Sequence, residues 1–154
     1  MGCCSVIGID PGKRTGVAVF SEGVLVEAFV WPEGRILSQD LPTDFLAPAV
    51  AVIEVPRIYP RGGKGDPNQL IDLAVLVGDL RGFYRRAGLE TVLVTPRTWK
   101  GAVPKAIHNE RVLGALTASE KEVLPTRPRA GGYDHNMIDA VGLALWQLER
   151  KGNR

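Results

Sequence analysis

Ser5-Val6-Ile7-Gly8-Ile9-Asp10-Pro11-Gly12 is the stretch that decides the fold. A short apolar run stopped by Asp-Pro-Gly reads as a buried strand with a carboxylate at its C-terminal end. Gly16-Val17-Ala18-Val19-Phe20 is the next strand, and the five residues between, Pro11 to Thr15, suit a hairpin loop. Glu22-Gly23 turns the chain into a third strand, Val24 to Val30, so the start of the chain is an antiparallel meander. Ala49-Val50-Ala51-Val52-Ile53 is a fourth buried strand ending at Glu54, and Thr91-Val92-Leu93-Val94 a fifth, closed by Pro96.

The segments between these strands are helical or irregular. Trp31 to Pro48 contains Pro32, Pro42 and Pro48 and holds at most a short helix. Tyr59 to Gly65 is a glycine-rich basic loop whose composition predicts mobility. Asp66-Pro67 opens a long helix, with Asp as cap and Pro at the first helical position. Leu70, Leu73, Val77, Leu80 and Tyr84 recur in it at helical spacing, and Gly88 ends it. Arg97 to Pro104 reads as irregular, Lys105 to Leu116 as a helix, and Thr117-Ala118-Ser119-Glu120 as a capping box for a further turn. Thr126 to Gly132 is a second basic loop. Asn136 to Arg150 is the last helix, with Ile138, Val141, Leu145 and Leu148 on its core face and Gly142 placed to let it approach the sheet. The expectation is one α/β domain over residues 1–154: a mixed five-stranded sheet, three antiparallel strands plus parallel ones, flanked by helices on both faces.

Composition sets the outer bounds. A chain of 154 residues, 45% hydrophobic and 23% charged, can bury a core without disulfides. No apolar run reaches the roughly 18 residues of a membrane span. No secretory leader is legible, and the two neighbouring cysteines, Cys3 and Cys4, point to a reduced, cytosolic compartment. Met1-Gly2-Cys3-Cys4 hints at acylation, but Val6 stands where a myristoylation signal needs Ser or Thr. The net charge of +2 hides an uneven distribution. Residues 1–56 hold three basic and seven acidic side chains, whereas residues 57–129 hold thirteen basic and seven acidic. That is the pattern of a carboxylate site beside a polyanion surface.

The carboxylates have a common address. If the first and fourth strands are parallel neighbours, Asp10 and Glu54 lie side by side at their carboxyl ends, where open α/β sheets bind ligands. Asp139 lies in the first turn of the last helix; His135, four residues earlier, faces the same way, with Asp134 adjacent. Each residue alone is an ordinary turn, strand-end or helix-start residue. Together they form a cluster whose mutual repulsion a hard cation relieves. Oxygen ligands with one imidazole suit Mg²⁺ or Mn²⁺ rather than zinc. Two such ions about 4 Å apart are a standard device for in-line displacement at phosphorus.

These residues resemble a known family. Ile7-Gly8-Ile9-Asp10-Pro11-Gly12 with Thr15-Gly16-Val17-Ala18, then Val52-Ile53-Glu54, then His135-Asn136-Met137-Ile138-Asp139-Ala140 with Gly142-Leu143, resemble in order the motifs of RuvC-type Holliday junction resolvases of the RNase H-like superfamily. Thr95-Pro96-Arg97-Thr98-Trp99-Lys100-Gly101-Ala102-Val103-Pro104-Lys105 is similar to the compact phage forms. The resemblance implies an RNase H-like fold. It also implies a homodimer that nicks two strands of a four-way DNA junction symmetrically, using Mg²⁺ or Mn²⁺, two per site, and no nucleotide cofactor. It implies that Asp10 bridges both cations, that Glu54 and Asp139 hold one each, and that His135 holds the second or orients the water, with Asp134 as its substitute. The bacterial pattern places its fourth ligand three residues before the last Asp, where this chain has Asn136.

DNA contact needs Lys and Arg in the loops beside such a site. The candidates are Lys13 and Arg14 after Asp10; Arg57, Arg61 and Lys64 after Glu54; Arg97, Lys100 and Lys105 after the fifth strand; and Arg127 and Arg129 before the last motif. Tyr59 is placed to stack on a base. Trp99 reads as a core or dimer-surface residue and His108 as a helix-surface one. Two other readings share the fold: an RNA-processing nuclease of the YqgF type, and an inactive nucleic-acid-binding protein. An actin-like ATPase ranks last, because that class flanks its nucleotide with two such domains.

Overall fold

The structure is a computed structural model and describes residues 5–31, 49–57 and 66–154. Cys3, Cys4, the proline-rich stretch before Ala49, and the loop holding Tyr59, Arg61 and Lys64 lie outside the described residues.

Five strands form one sheet: β1 (Ser5–Asp10), β2 (Thr15–Ser21), β3 (Val24–Trp31), β4 (Ala49–Glu54) and β5 (Glu90–Val94), in the order β3-β2-β1-β4-β5. The β1–β2 and β2–β3 pairs are antiparallel, and β1–β4 and β4–β5 are parallel. The meander, the parallel half and the mixed sheet are as the sequence predicts. Helices α1 (Pro67–Arg86), α2 (Pro96–Trp99), α3 (Lys105–Gly114), α4 (Ala118–Val123) and α5 (His135–Arg150) complete the fold.

Side chains alternate across the sheet and so define two cores. Ile7, Ile9, Val17, Val19, Ala51 and Ile53 face α1 and meet its Val77, Leu80 and Tyr84. Val6, Ala18, Phe20, Val50 and Val52 face α5, which buries Ile138, Val141, Leu145 and Leu148 against them. Fully burying one such aliphatic side chain is worth ~1.5–3 kcal/mol, so two faces of them hold the sheet edge firmly. By the same alternation Asp10 and Glu54, at even positions with Val6 and Val52, project toward α5.

Local signals set the helix ends. The Asp66 carboxylate accepts from Asn68 N at 2.9 Å with Pro67 at the first helical position. Past Arg86 the chain turns at Gly88, whose φ of 85° is open to glycine. The Thr117–Glu120 capping box forms with both reciprocal hydrogen bonds.

Two expectations need correcting. Pro96–Trp99 is a single helical turn rather than irregular chain, since Pro at its start supplies the helical φ. Gly142 does not bring α5 to the sheet: a Cβ there would lie 2.7 Å from Trp99 Cζ3, so it makes room for that indole. The approach to the sheet is made from the strand side. A Cβ on Gly8 would collide with the Ala140 carbonyl, and one on Gly16 with the Asn136 carbonyl. Bare backbone in β1 and β2 therefore lets α5 lie directly on the sheet, which carries Asp139 to the strand ends.

Candidate active site

The β1–β4 register pairs Ile9 with Ile53, so Asp10 and Glu54 are parallel neighbours at the carboxyl edge. Asp139 comes down on α5 one turn past the Asn136 contact with Gly16. Asp10 is 8% exposed and Asp139 7%, and Glu54 is half-buried. Burial raises the Asp10 carboxyl well above the usual range, and the charges of Glu54 and Asp139 push it further; Lys100 and Lys105 offset this only in part. Glu54 is raised too, by burial first, against the pull of Lys100 and of a hydrogen bond from Trp99. Three segments distant in sequence thus meet in one electrostatically expensive pocket.

The segment after β5 supplies the other half of the pocket. Trp99 Nε1 donates to Glu54 Oε2 at 2.6 Å. Lys100 Nζ donates to Asp139 Oδ2 at 3.0 Å and lies 3.7 Å from Glu54 Oε2. Lys100, expected on the DNA-facing loop, therefore reaches inward, and its charge is held by the carboxylates even though burial works against it. Trp99 is half-buried against the α5 core and meets the His108 ring edge-on, with centroids 4.9 Å apart.

His108 is the residue that sequence reasoning placed wrongly. It is 7% exposed, not on the helix surface, and its Nε2 lies 3.2 Å from Asp139 Oδ1. The two atoms face each other without the alignment of a hydrogen bond, and both are sealed from water. Burial lowers the imidazole pKa despite the neighbouring carboxylate, which favours the neutral, ligating form. The missed signal is the four-residue spacing of His108 and Val112, which puts the histidine on the buried stripe of α3. His135, by contrast, is the exposed first residue of α5. Sharing a helix face with Asp139 is not enough, because four residues of rise carry it ~6 Å along the axis. Asp134 is committed elsewhere: it caps α5 through Asn136 N and pairs with Arg14 at 3.1 Å.

The donor set fits a hard divalent cation. It offers three carboxylates that repel one another and a neutral imidazole whose buried Nε2, like Asp139 Oδ1, has no aligned partner. As they stand, no group of three or more His, Cys, Asp or Glu among the described residues is drawn together tightly enough to hold an ion. The Lys100 ammonium sits between two of the candidate ligands.

Of the cations expected on the DNA, Lys13, Arg14, Arg57, Arg97, Lys105, Arg127 and Arg129 are all exposed. Arg127 also turns back to the Gly131 carbonyl at 3.2 Å, within its own loop. A cleft of about 220 Å³ opens behind Trp99, Lys100 and His108 toward Trp146 and Glu149.

The fold so defined is RNase H-like, the architecture in which a carboxylate-bearing β1 pairs with a parallel β4 and a final helix crosses the sheet. The chain is similar over 97% of both lengths to T. thermophilus RuvC, solved in complex with a Holliday junction substrate, with a TM-score of 0.61 and 17% identity. No protein-family model matches the chain, and no curated protein matches it. No helix among the described residues is long and apolar enough to cross a membrane.

Proposed function

We propose that this protein is a metal-dependent, structure-selective endodeoxyribonuclease that resolves four-way DNA junctions by paired symmetric nicks. The observation that carries the reading is the meeting of Asp10, Glu54 and Asp139, from β1, β4 and α5, in one pocket where burial and mutual repulsion raise the Asp10 carboxyl well above the usual range. A fold maintains so costly a cluster for the sake of a cation. The basic loops at the same edge suit a phosphate backbone, and the fold shared with a junction-bound RuvC supports the choice of substrate.

Asp10, Glu54 and Asp139 would hold the metal, and His108 would be the fourth ligand in place of His135 or Asp134. Bound Mg²⁺ or Mn²⁺ would supply Lewis-acid charge at the phosphodiester and lower the pKa of the attacking water. The chain's own residues do the rest. Trp99 fixes the Glu54 carboxylate by its indole N–H, and Gly142 gives the indole its seat. Lys13, Arg57, Lys105 and Arg129 hold phosphates flanking the scissile bond. Two copies related by a two-fold axis would place two such pockets on the two strands of like polarity.

The test is cleavage of a synthetic four-way junction beside a structured RNA, with wild type and Asp10→Asn. The reading requires Mg²⁺-dependent junction cleavage that Asp10→Asn abolishes while junction binding survives. Cleavage of the RNA alone would move the protein to the RNA-processing branch of the fold.

A further inference from the structure

A cation is already lodged among the carboxylates, and it belongs to the chain. Lys100 Nζ contacts Asp139 Oδ2 at 3.0 Å and approaches Glu54 Oε2 at 3.7 Å. Both belong to carboxylates that a divalent ion would take. An ammonium and a hard dication compete for them, because two positive charges at one carboxylate repel each other. Lys100 is also able to leave. Its side chain is 24% exposed, and it sits at the C-cap of a single-turn helix, followed by Gly101 at φ 66° in an exposed turn. Its Nζ already lies 4.9 Å from the centroid of the Trp99 ring, a face on which a cation can rest.

We propose that Lys100 is the resident counter-ion of this pocket: its ammonium balances Glu54 and Asp139 until a divalent cation takes their oxygens, and it is then released toward the phosphate side. This rests on the nuclease reading above and assigns that site an internal competitor. The arrangement holds the carboxylates near one another before the ion arrives. It also makes cation binding weaker than the bare donor set would give. It fits a donor set that, among the described residues, is not gathered into a group able to hold an ion. Once released, the ammonium stands beside the reacting phosphate, where a fresh positive charge is useful.

The experiment is a Mn²⁺ titration of the full chain without DNA, following the electron paramagnetic resonance signal of free Mn²⁺. It uses wild type, Lys100→Met, Lys100→Arg and Asp10→Asn, each with its thermal midpoint measured in chelator. Removing a competitor uncouples two ligands, and couplings of this kind are typically worth 5- to 150-fold. Lys100→Met should therefore bind Mn²⁺ at least ~5-fold more tightly than wild type, while Lys100→Arg, which keeps the charge, should stay near it. Lys100→Met should also melt earlier in chelator and recover with Mn²⁺, yet cleave junctions more slowly at saturating Mn²⁺. Tighter binding with slower turnover is a split that a purely structural lysine would not produce. Should the Met variant fail to fold, Lys100→Gln carries the same expectation. Equal or weaker Mn²⁺ binding by the neutral variants, with wild type binding normally and Asp10→Asn impaired, overturns the exchange and leaves the nuclease reading standing. No Mn²⁺ binding by any form overturns both.

Discussion

Two buried carboxylates at opposite ends of the sheet have opposite fates. Glu120, 2% exposed, is fully satisfied. It accepts from Leu25 N at 2.9 Å, from Thr117 N and Oγ1 in its own capping box, and from both terminal nitrogens of Arg154 at 2.8 and 2.7 Å. Burial alone would raise its pKa, but Arg154 and these donors pull it down to about 2. Asp10, 8% exposed, has its pKa raised by burial first and then by its neighbours Glu54 and Asp139. The difference is not one of burial. It lies in whether enough donors surround the charge, and among the described residues at the β1–β4 edge they do not. A carboxylate left short inside a stable fold is the sign of a group awaiting a partner from outside.

The comparison is open to direct attack. The largest effect should come from Asp10→Asn, which lowers junction cleavage by ~1,000-fold, the scale of losing one group that stabilises transition-state charge. The same variant should melt higher than wild type without metal. Because the folded pKa of Asp10 is raised, wild type loses stability as pH rises above the ordinary carboxylate range, and the amide abolishes that loss. A lower melting point for Asp10→Asn in chelator would break the comparison at its strained end.

Glu120→Gln should do the reverse. It strips a buried pair of its anion and costs about 3 kcal/mol in denaturant unfolding, with cleavage unchanged in the folded fraction. The pH signature follows from the lowered pKa. Wild type holds the full Glu120 contribution above about pH 4.5 and loses it as pH falls toward about 2, so the two unfolding curves should converge in acid.

Trp99→Phe keeps the ring against Gly142 but removes the donor to Glu54. Loss of such a supporting hydrogen bond should lower kcat ~10–100-fold, with the junction Kd little changed; an effect confined to Kd would place Trp99 on the DNA instead. The smallest effect separates the two edges by salt. Lys13→Ala should reduce the slope of log K against log salt by about 1, whereas Lys151→Ala, whose ammonium faces Glu90 at 3.3 Å, should leave it alone.

The parts legible in the sequence were those encoded locally. The strand ending Ile9-Asp10-Pro11-Gly12, the cap Asp66-Pro67 and the box Thr117 to Glu120 each carry their own backbone chemistry, and each stands in the structure as read. Asp10 beside Glu54 needed only that two apolar runs be parallel neighbours. What escaped depended on contacts far apart in the chain. Nothing in Trp99-Lys100 states that one side chain bonds Glu54 and the other Asp139. His108 carries no mark of its partner beyond a place on a half-polar helix. Arg154 is separated from Glu120 by the whole of α5, and no periodicity links them. Proximity in sequence to Asp139 marks His135 and Asp134, whereas the proximity of His108 in space leaves no such mark.

Diffraction from a crystal soaked in Mn²⁺, with anomalous differences collected at the manganese edge, addresses the shared pocket most directly. The account predicts one or two peaks among Asp10, Glu54 and Asp139, with His108 Nε2 turned onto one of them and Lys100 withdrawn. Manganese bound only at surface carboxylates, with Lys100 still on Asp139, would contradict it.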